Sequence, residues 1–463
     1  MSVKAVESLF EALFALIDLR QLFRETKPSY RFNEDQRAKA LNSIERARRC
    51  LDLLEEFVKE PRPSDTEFSM YLADKVEVRA REELFVNIDP IQPGGRLTAE
   101  AMKALIAYGD GYSTCDWCMK PFRLDTIKRP PLAEFHAELA EFLGMDEARL
   151  MPGARRAFQA VTSTLLERGD VALVSSLAHY TEVLAVEEAG GVVKEVPVNE
   201  KNVLTGEAVE AKIEEVKREL GKPPKLVIVD HFDYVYGNEH DVKGVVEAAH
   251  RYDVPVLCNG AYSVGIMPVN GRELGVDFLA GSGHKSFASP APSGILATTE
   301  EWAKKVFRRS STVCDVTGRR FDNKEVELLG CTLMGAVAIA MMLSFPHVKE
   351  RVKRWGEEVE RSNFFVKEFM KIEGCRILSE LPRKHTLTYV DTTESFDKVA
   401  RTHRRRGYFL FDELVKRRVI GVFPGSTRRW KLNVYGLTWD QVRHVAWAFK
   451  DIARSYGLKV EES

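Results

Sequence analysis

One lysine of the 463-residue chain has the surroundings of a nucleophile toward a carbonyl compound. Lys285 stands in Ala280-Gly-Ser-Gly-His-Lys-Ser286, directly after an apolar run that is typical of a buried strand. The small residues before it let a ligand approach the backbone closely. A desolvated lysine at a strand end can hold an aldehyde cofactor as a Schiff base. Without further signals, however, a lysine after glycines is more often a solvated loop residue.

Three further segments favour the cofactor site, and together with Lys285 they predict that it binds pyridoxal phosphate. Gly153 precedes a helical pattern, where backbone amides at a helix start could hold a phosphate. His179 follows one predicted strand and could stack on an aromatic ring, and Asn259 ends another, where it could hydrogen-bond a pyridine nitrogen. The predicted cofactor-binding residues are Gly153, Ala154, Arg155, His179, Asn259, Ser282, His284 and Lys285.

Short β-branched runs alternate with helical patterns from about residue 145 to 300, which predicts a mostly parallel sheet with helices on both faces. Ligands of such sheets sit beyond the carboxyl ends of the strands, where the candidate residues lie. The predicted strands are Val171–Val174, Val192–Val198, Leu226–Val229, Val254–Leu257 and Phe278–Ala280, and the helical segments include 205–220 and 241–252. A smaller α+β domain is predicted from a charged helix over 348–373 and from the runs Thr386–Val390, Gly421–Phe423 and Lys431–Val434.

The first 60 residues stand apart from this pattern. Apolar residues recur at helical spacing, Asn33 and Gln36 resemble a helix start signal, and a proline-rich stretch follows. We therefore predict a helical hairpin and three domains: a helical N-terminal extension over 1–63, an arm plus cofactor-binding domain over 64–340, and a small domain over 341–463.

The overall charge gives no information on partners, since any polyanion would have to be held by a local basic patch, and the cysteine content predicts a cytoplasmic protein. The 68 basic and 69 acidic residues nearly cancel, so the overall field attracts neither nucleic acid nor an anionic membrane. No start typical of a signal peptide and no long apolar run is present, and the seven cysteines are expected to be reduced.

Five segments resemble the signature sequences of the O-phosphoseryl-tRNA:cysteinyl-tRNA synthase family, an archaeal branch of the aspartate-aminotransferase-like enzymes (fold type I). They are Asn87–Gly95, Tyr108–Cys118, Pro152–Arg155, Gly281–Ser286 and Glu325–Thr332. The resemblance implies a pyridoxal-phosphate-dependent homodimer that replaces the phosphate of O-phosphoseryl-tRNA(Cys) with sulfur, with Lys285 removing the Cα proton. Most relatives in the wider superfamily carry aspartate where Asn259 stands, and a neutral amide suffices here because phosphate is a good leaving group.

Cys115 and Cys118 are spaced so that both sulfurs can face one metal or each other. The other cysteines form no second close pair, which favours a three-thiolate site or a redox pair over structural zinc. The resemblance implies that Cys115, Cys118 and Cys331 bind an iron–sulfur cluster or carry persulfide sulfur.

Two other cysteines compete with Cys331 to be the third thiol. Cys258 adjoins Asn259 in a strand, and because side chains alternate, an Asn259 that faces the cofactor sends Cys258 into the core. Cys314 lies in the segment 310–322, which we interpret as a solvated loop insertion. Cys331 is preferred because it lies in the motif that resembles the family.

By resemblance, Arg155, His179 and Tyr180 match active-site positions for the phosphoseryl group. Arg428 is the candidate arginine of the small domain, although arginines are also common on surfaces. The predicted catalytic residues are Lys285, His179, Cys115, Cys118 and Cys331.

Two other functions remain open at this point. A cysteine desulfurase, or a related small-molecule sulfur-transfer lyase, would use the same cofactor without tRNA. In the other alternative, the protein is a non-catalytic scaffold and the N-terminal hairpin carries out its function. For that hairpin, residues 1–60, we expect docking to phosphoseryl-tRNA synthetase or an accessory protein; packing on its own subunit or across the homodimer is the alternative.

Overall fold

The structure is a computed structural model that describes residues 3–27, 29, 31–59, 84–91, 93–109, 113–115, 120–121, 132–322, 324–327 and 332–461. The chain divides into two compact units, residues 1–83 and 84–463. Within the described ranges, no helix has both the length and the hydropathy needed to cross a bilayer.

The first unit contains two helices, α1 Val3–Glu25 and α2 Glu34–Lys59. Asn33 and Gln36 start α2 by reciprocal capping, because the Gln36 amide donates to Asn33 Oδ1 at 2.8 Å and the Asn33 amide donates to Gln36 Oε1 at 3.1 Å. Arg46 of α2 pairs with Glu11 and Asp18 of α1. These contacts confirm the predicted helical hairpin and its start signal.

Small residues face the inside of the hairpin and large apolar residues face outward. Ala12, Ala15, Ala40 and Ala47 are buried. The exposed apolar side chains of α1 include Leu9, Phe10, Leu13, Phe14, Leu16 and Ile17. Two helices alone therefore leave a large apolar surface uncovered.

The second unit combines one large sheet, smaller sheets and many helices. Its described helices are α3 Ala99–Ala107, α4 Leu132–Phe142, α5 Ala154–Leu165, α6 Tyr180–Glu188, α7 Gly206–Leu220, α8 Val242–His250, α9 Gly271–Leu274, α10 Gly283–Ser286, α11 Glu300–Val306, α12 Gly335–Val352, α13 Trp355–Met370, α14 Phe396–Thr402, α15 Phe409–Lys416 and α16 Trp439–Ser455. Its described strands are β1 Val86–Asn87, β2 Ser113–Cys115, β3 Lys120–Pro121, β4 Glu147–Met151, β5 Val171–Ser175, β6 Val192–Val196, β7 Leu226–Asp230, β8 Val256–Asn259, β9 Phe278–Ser282, β10 Gly294–Thr298, β11 Thr332–Met334, β12 Arg376–Ile377, β13 Leu387–Asp391, β14 Val419–Ile420 and β15 Arg429–Asn433.

Seven strands form the central sheet in the order β4-β10-β9-β8-β7-β5-β6. β5 to β9 are parallel, and β10 is antiparallel to both of its neighbours. The predicted mostly parallel sheet is therefore confirmed. β4 and β10 were not predicted, because the Glu-Ala-Arg-Leu-Met of β4 mixes charged with apolar residues and the glycine start of β10 reads as a loop.

Apolar side chains cover both faces of this sheet, since neighbours along a strand point to opposite sides. Leu173 packs in one buried cluster with residues of α4, α7, α8 and α12. Val174 packs in the other cluster with residues of α5, α6 and α11. The central strands are thus buried on both faces, which leaves the strand ends as the place for polar chemistry.

The C-terminal part of this unit packs four helices on an antiparallel sheet of order β12-β13-β15. The single helix predicted over 348–373 is two helices, because α12 ends at Val352 and a turn through Arg354 starts α13. The predicted run Gly421–Phe423 is not a strand. Gly421 has φ +115°, a conformation that favours glycine and follows the end of β14. The boundaries of the three predicted domains remain a prediction.

Candidate active site

Lys285 lies on α10, a single helical turn that begins where β9 ends. Two glycines of the segment before α3 press against the backbone of this turn. A Cβ atom at Gly95 would lie 2.0 Å from the His284 carbonyl oxygen, and one at Gly94 would lie 3.1 Å from that of Lys285. Only glycine allows this approach.

Arg351 of α12 links the lysine turn to two other segments. Its guanidinium donates to the carbonyl oxygens of Gly265 at 2.8 Å, Gly94 at 3.0 Å and Ser286 at 2.5 Å. Sequence reasoning missed Arg351, because a charged residue in a helix gives no signal of burial. The turn that carries the lysine is therefore held by segments far apart in the chain.

The Lys285 amine is largely removed from water. Its Nζ lies 4.8 Å from the centroid of the Tyr262 ring. Burial lowers the pKa of Lys285, the Asp230 and Glu182 carboxyl groups act against burial, and the Lys431 ammonium reinforces it. A lowered pKa leaves more of the amine neutral, which is the form that attacks a carbonyl carbon.

His179 precedes α6 at the same edge of the sheet. Its ring centroid lies 4.4 Å from that of Tyr180 and 5.0 Å from that of Tyr234. Burial, followed by the charges of Lys285 and Lys431, lowers the pKa of His179 to about 4. The imidazole is therefore neutral near pH 7, and Tyr180 beside it is largely exposed.

Asn259 ends β8 in a buried hydrogen-bond network. Its Nδ2 donates to Glu182 Oε1 at 2.6 Å and to Asp230 Oδ1 at 2.7 Å, and its Oδ1 accepts from the Ala261 amide at 3.0 Å. Cys258, one residue earlier, is buried in the apolar cluster on one face of the sheet. Sequence reasoning identified Asn259 but missed both carboxyl groups, since acidic residues in a helix or strand are usually solvated.

The start of α5 lies next to the lysine turn. Gly153 caps this helix with φ +98° and no side-chain hydrogen bond. A Cβ atom at Gly153 would lie 4.0 Å from the His284 ring, and His284 Nδ1 lies 3.1 Å from the Ser293 carbonyl oxygen. Ser282, the last residue of β9, is buried. The exposed amide groups of a helix start can bind a phosphate here.

The side chains of two predicted arginines make other contacts. The Arg155 side chain is exposed and pairs with Glu188 at 3.4 Å. Arg428 is 71% exposed and pairs with Asp397 at 3.2 Å, in a cleft of about 500 Å³. Neither contact involves the lysine turn.

Lys431 of β15 also reaches the site, and sequence reasoning missed it. Its Nζ donates to the Tyr234 carbonyl oxygen at 2.7 Å and lies 4.9 Å from the centroid of the Tyr234 ring. Burial lowers the pKa of Lys431, and the Asp233 carboxylate acts in the opposite direction. The available signal was its place in the predicted run Lys431–Val434, where alternation sends Leu432 into the core and Lys431 to the other face.

The three predicted thiol groups fall outside the described part of the chain. Cys115 ends β2, and the antiparallel register pairs its backbone with Thr332 of β11. The Cys115 side chain, and all of Cys118 and Cys331, lie outside the described residues. Cys314 is half-buried in a turn that its backbone closes with Gly318 and Arg319. Among the side chains that are described, no three His, Cys, Asp or Glu residues form a metal site.

Comparison with known proteins identifies a family. Residues 131–398 match the family model of aminotransferase class-V. The chain is 57% identical over 457 residues to O-phospho-L-seryl-tRNA:Cys-tRNA synthase 1 of Methanococcoides burtonii, which covers 98% of this chain and 97% of that protein. It is 59% identical over 391 residues to the O-phospho-L-seryl-tRNA:Cys-tRNA synthase of Methanoculleus marisnigri, which covers 84% of this chain and 100% of that protein.

Solved structures agree. A crystal structure of a SepCysS–SepCysE N-terminal domain complex matches with 39% identity and a TM-score of 0.75, over 84% of this chain and 99% of the matched chain. The cysteine desulfurase CsdA of Escherichia coli matches with 16% identity and a TM-score of 0.59, over 81% of this chain and 96% of that chain, which shows a shared fold alone.

The two neighbours at the end of β8 give a paired test of the site. We expect Asn259→Ala to lower kcat/KM by about tenfold or more, a loss of about 1.4 kcal/mol of transition-state stabilisation, because the side chain that orients the two buried carboxyl groups near Lys285 is removed. Cys258→Ala should retain most activity, because its side chain faces the core. Steady-state kinetics on both variants checks this, with circular dichroism as the control for folding. The opposite order of the two activities would show that the faces of β8 are misassigned.

Proposed function

The chain belongs to the family of O-phospho-L-seryl-tRNA:Cys-tRNA synthases, and from that premise we propose how the residues around Lys285 divide the work. The enzyme converts O-phosphoseryl-tRNA(Cys) into cysteinyl-tRNA(Cys) by replacing phosphate with sulfur. A desulfurase acting on free cysteine is not favoured, because the relatives at 57% and 59% identity are named for the tRNA reaction.

The observation that carries the proposal is a desolvated lysine amine at the carboxyl edge of the sheet, next to a neutral imidazole and an uncapped helix start. These groups fit pyridoxal phosphate. Lys285 would hold its aldehyde carbon, the amides at the start of α5 its phosphate, and His179 one face of its ring. When bound, the cofactor supplies the electron sink that lets a proton leave Cα and phosphate leave Cβ.

The protein's own groups then bind substrate and move a proton. Lys285, with its lowered pKa, is the base that takes the Cα proton. The carboxyl group of the substrate is esterified to tRNA, so the phosphate dianion is the charge to be held. Lys431, which shares the site with His179 and Lys285, is the cation for that dianion, with Tyr180 at the open side. The exposed side chains of Arg155 and Arg428 are proposed to make contacts farther from Lys285.

Sulfur delivery is assigned to Cys115, Cys118 and Cys331. The register that pairs Cys115 with Thr332 supports this, because Thr332 follows Cys331 directly in the chain. Three thiols could carry the sulfur as a persulfide or bind an iron–sulfur cluster. On the persulfide route the outer sulfur bonds to Cβ and forms a mixed disulfide. A second of the three thiols then attacks that disulfide, which releases the cysteinyl product and leaves an enzyme disulfide for an external thiol reductant to reduce.

The hairpin of the first unit is proposed to dock a partner rather than take part in the chemistry. Its outward apolar residues are large, and one relative with 39% identity was solved in complex with the N-terminal domain of SepCysE. An accessory protein or phosphoseryl-tRNA synthetase would fit this surface and shield the intermediate during hand-over. Association as a homodimer is part of the same proposal, and the hairpin could instead pack within it.

The function is tested by incubating the purified, cofactor-loaded protein with phosphoseryl-tRNA(Cys) and sulfide. We expect cysteine on the tRNA, identified by mass spectrometry after deacylation. Lys285→Ala should abolish turnover and the visible absorbance of the bound cofactor, because both need the amine. Formation of cysteinyl-tRNA by that variant would refute the role of Lys285, and turnover of free cysteine without tRNA would favour the desulfurase.

Cys115, Cys118 and Cys331 are predicted to act together. Each single change to alanine should lower sulfur incorporation by about 100-fold or more, as expected when one member of a catalytic unit is removed. Cofactor absorbance should stay unchanged in all three variants. Cys314→Ala serves as the matched control and should incorporate sulfur normally. If Cys331→Ala is active while Cys314→Ala is not, Cys314 is the third thiol.

Deletion of residues 1–60 should leave activity on free phosphoseryl-tRNA nearly unchanged and weaken co-purification with phosphoseryl-tRNA synthetase. A finer variant replaces Phe10 and Phe14 by serine, since both rings are more than half exposed on α1. Arg20→Ser, on the same helix, is the control that keeps the apolar surface. Steady-state kinetics measures the activity, pull-down assays measure the association, and sedimentation measures dimerisation. Loss of dimerisation or of basal activity would show that the hairpin is structural.

A further inference from the structure

Two acidic side chains lie behind Asn259, and no part of the proposed chemistry uses them. Glu182 is in the first turn of α6, and Asp230 is the last residue of β7. Their exposed fractions are 0% and 2%. A buried carboxylate is costly unless it is paired, so the position of two together calls for a physical account.

Asn259 holds these two groups in place. The two hydrogens of its Nδ2 go to Glu182 Oε1 and Asp230 Oδ1, and its Oδ1 accepts from the Ala261 amide. A flipped amide would place its oxygen against both carboxyl groups, which would repel it. Asn259 is thus fully oriented by the protein before any ligand binds.

The two carboxyl groups are neighbours around a single nitrogen atom, because Glu182 Oε1 lies 2.6 Å and Asp230 Oδ1 2.7 Å from Asn259 Nδ2. Two adjacent carboxylates without water cannot both stay ionised, and such pairs share a proton. Burial raises the pKa of Glu182 to about 7, and burial together with the Glu182 charge raises the pKa of Asp230 well above its usual range. The pair therefore carries a proton near neutral pH.

The second oxygen of each group, Glu182 Oε2 and Asp230 Oδ2, is buried without a hydrogen-bond partner within the described part of the chain. Both carboxyl groups act on the Lys285 amine in the direction that favours its charged form. The titratable groups that face the pair are Lys285, His179, Asp233, Cys258 and Tyr262, and Lys431 lies one group farther, beside Lys285.

We propose that Glu182 and Asp230 share one proton and hold a single negative charge beside Lys285, with Asn259 as their clamp. The pair supplies a negative charge that Asn259, a neutral amide, does not supply. Its one negative charge favours the protonated form of the nitrogen that links Lys285 to the cofactor. Glu182 and Asp230 are positioning residues in this reading, and the inference rests on the proposed role of Lys285.

The test titrates the visible absorbance of the holoprotein against pH in the wild type, Glu182→Gln, Asp230→Asn and the double variant. Each single variant keeps one ionised carboxyl group, so its spectral midpoint should stay within about 0.5 pH unit of the wild type, less than the shift expected for a lost charge. The double variant has none, and its midpoint should fall by about 1 to 3 pH units. Glu358→Gln, which removes a buried carboxyl group of the small domain, should not move the midpoint.

Equal shifts in the two single variants that add up to that of the double variant would overturn the shared proton. An unshifted double variant would show that the pair is merely structural. Infrared spectra of the wild type and single variants decide the matter even if the double variant does not fold. The wild type should show one protonated buried carboxyl group near neutral pH that both single variants lack, and its absence in the wild type would refute the proposal. Absence of visible absorbance in the wild type would instead refute the role of Lys285.

Discussion

The site depends on keeping one lysine amine out of water while its turn stays fixed in space. Lys285 sits on a single helical turn, which has too few internal hydrogen bonds to hold its own position. Contacts from elsewhere supply the rest: Gly94 and Gly95 lie against its backbone, and Arg351 binds its Ser286 carbonyl oxygen together with one carbonyl oxygen from each of two other segments. Because these contacts involve backbone atoms, small changes in side chains nearby would not relax them.

The parallel sheet explains how residues far apart in the sequence meet at this turn. β5, β7, β8 and β9 end at the same edge, so the residues that follow or end them converge there. Asp230 and Asn259 are partners in the register of β7 and β8. Their side chains therefore lie side by side, and α6 adds Glu182 to them. No loop rearrangement is needed to build the network.

Much of this could be predicted from the sequence, and the failures have physical reasons. All five predicted strands exist. Four of them are buried apolar runs, β6 is a partly exposed edge strand, and polar residues at the strand ends indicated the site. β4 and β10 lacked that signal. Lys431 was missed while Arg428 was predicted, and the strand explains the difference in signal, because Arg428 precedes β15 whereas Lys431 lies within it. Alternation buries Trp430 and Leu432, which fixes the face of Lys431 and leaves Arg428 free to reach solvent.

The charges of the side chains in the site are suited to anionic ligands. Lys285 and Lys431 carry positive charge when protonated, and one shared proton leaves the Glu182–Asp230 pair with a single negative charge. A charged His179 would add a third cation, and the low pKa of its imidazole, about 4, prevents this at neutral pH. The remaining positive charge suits a site that must hold phosphate dianions from both cofactor and substrate. Phosphate departure then removes negative charge from the site, which leaves Lys431 without its counter-ion and favours the entry of an anionic sulfur nucleophile.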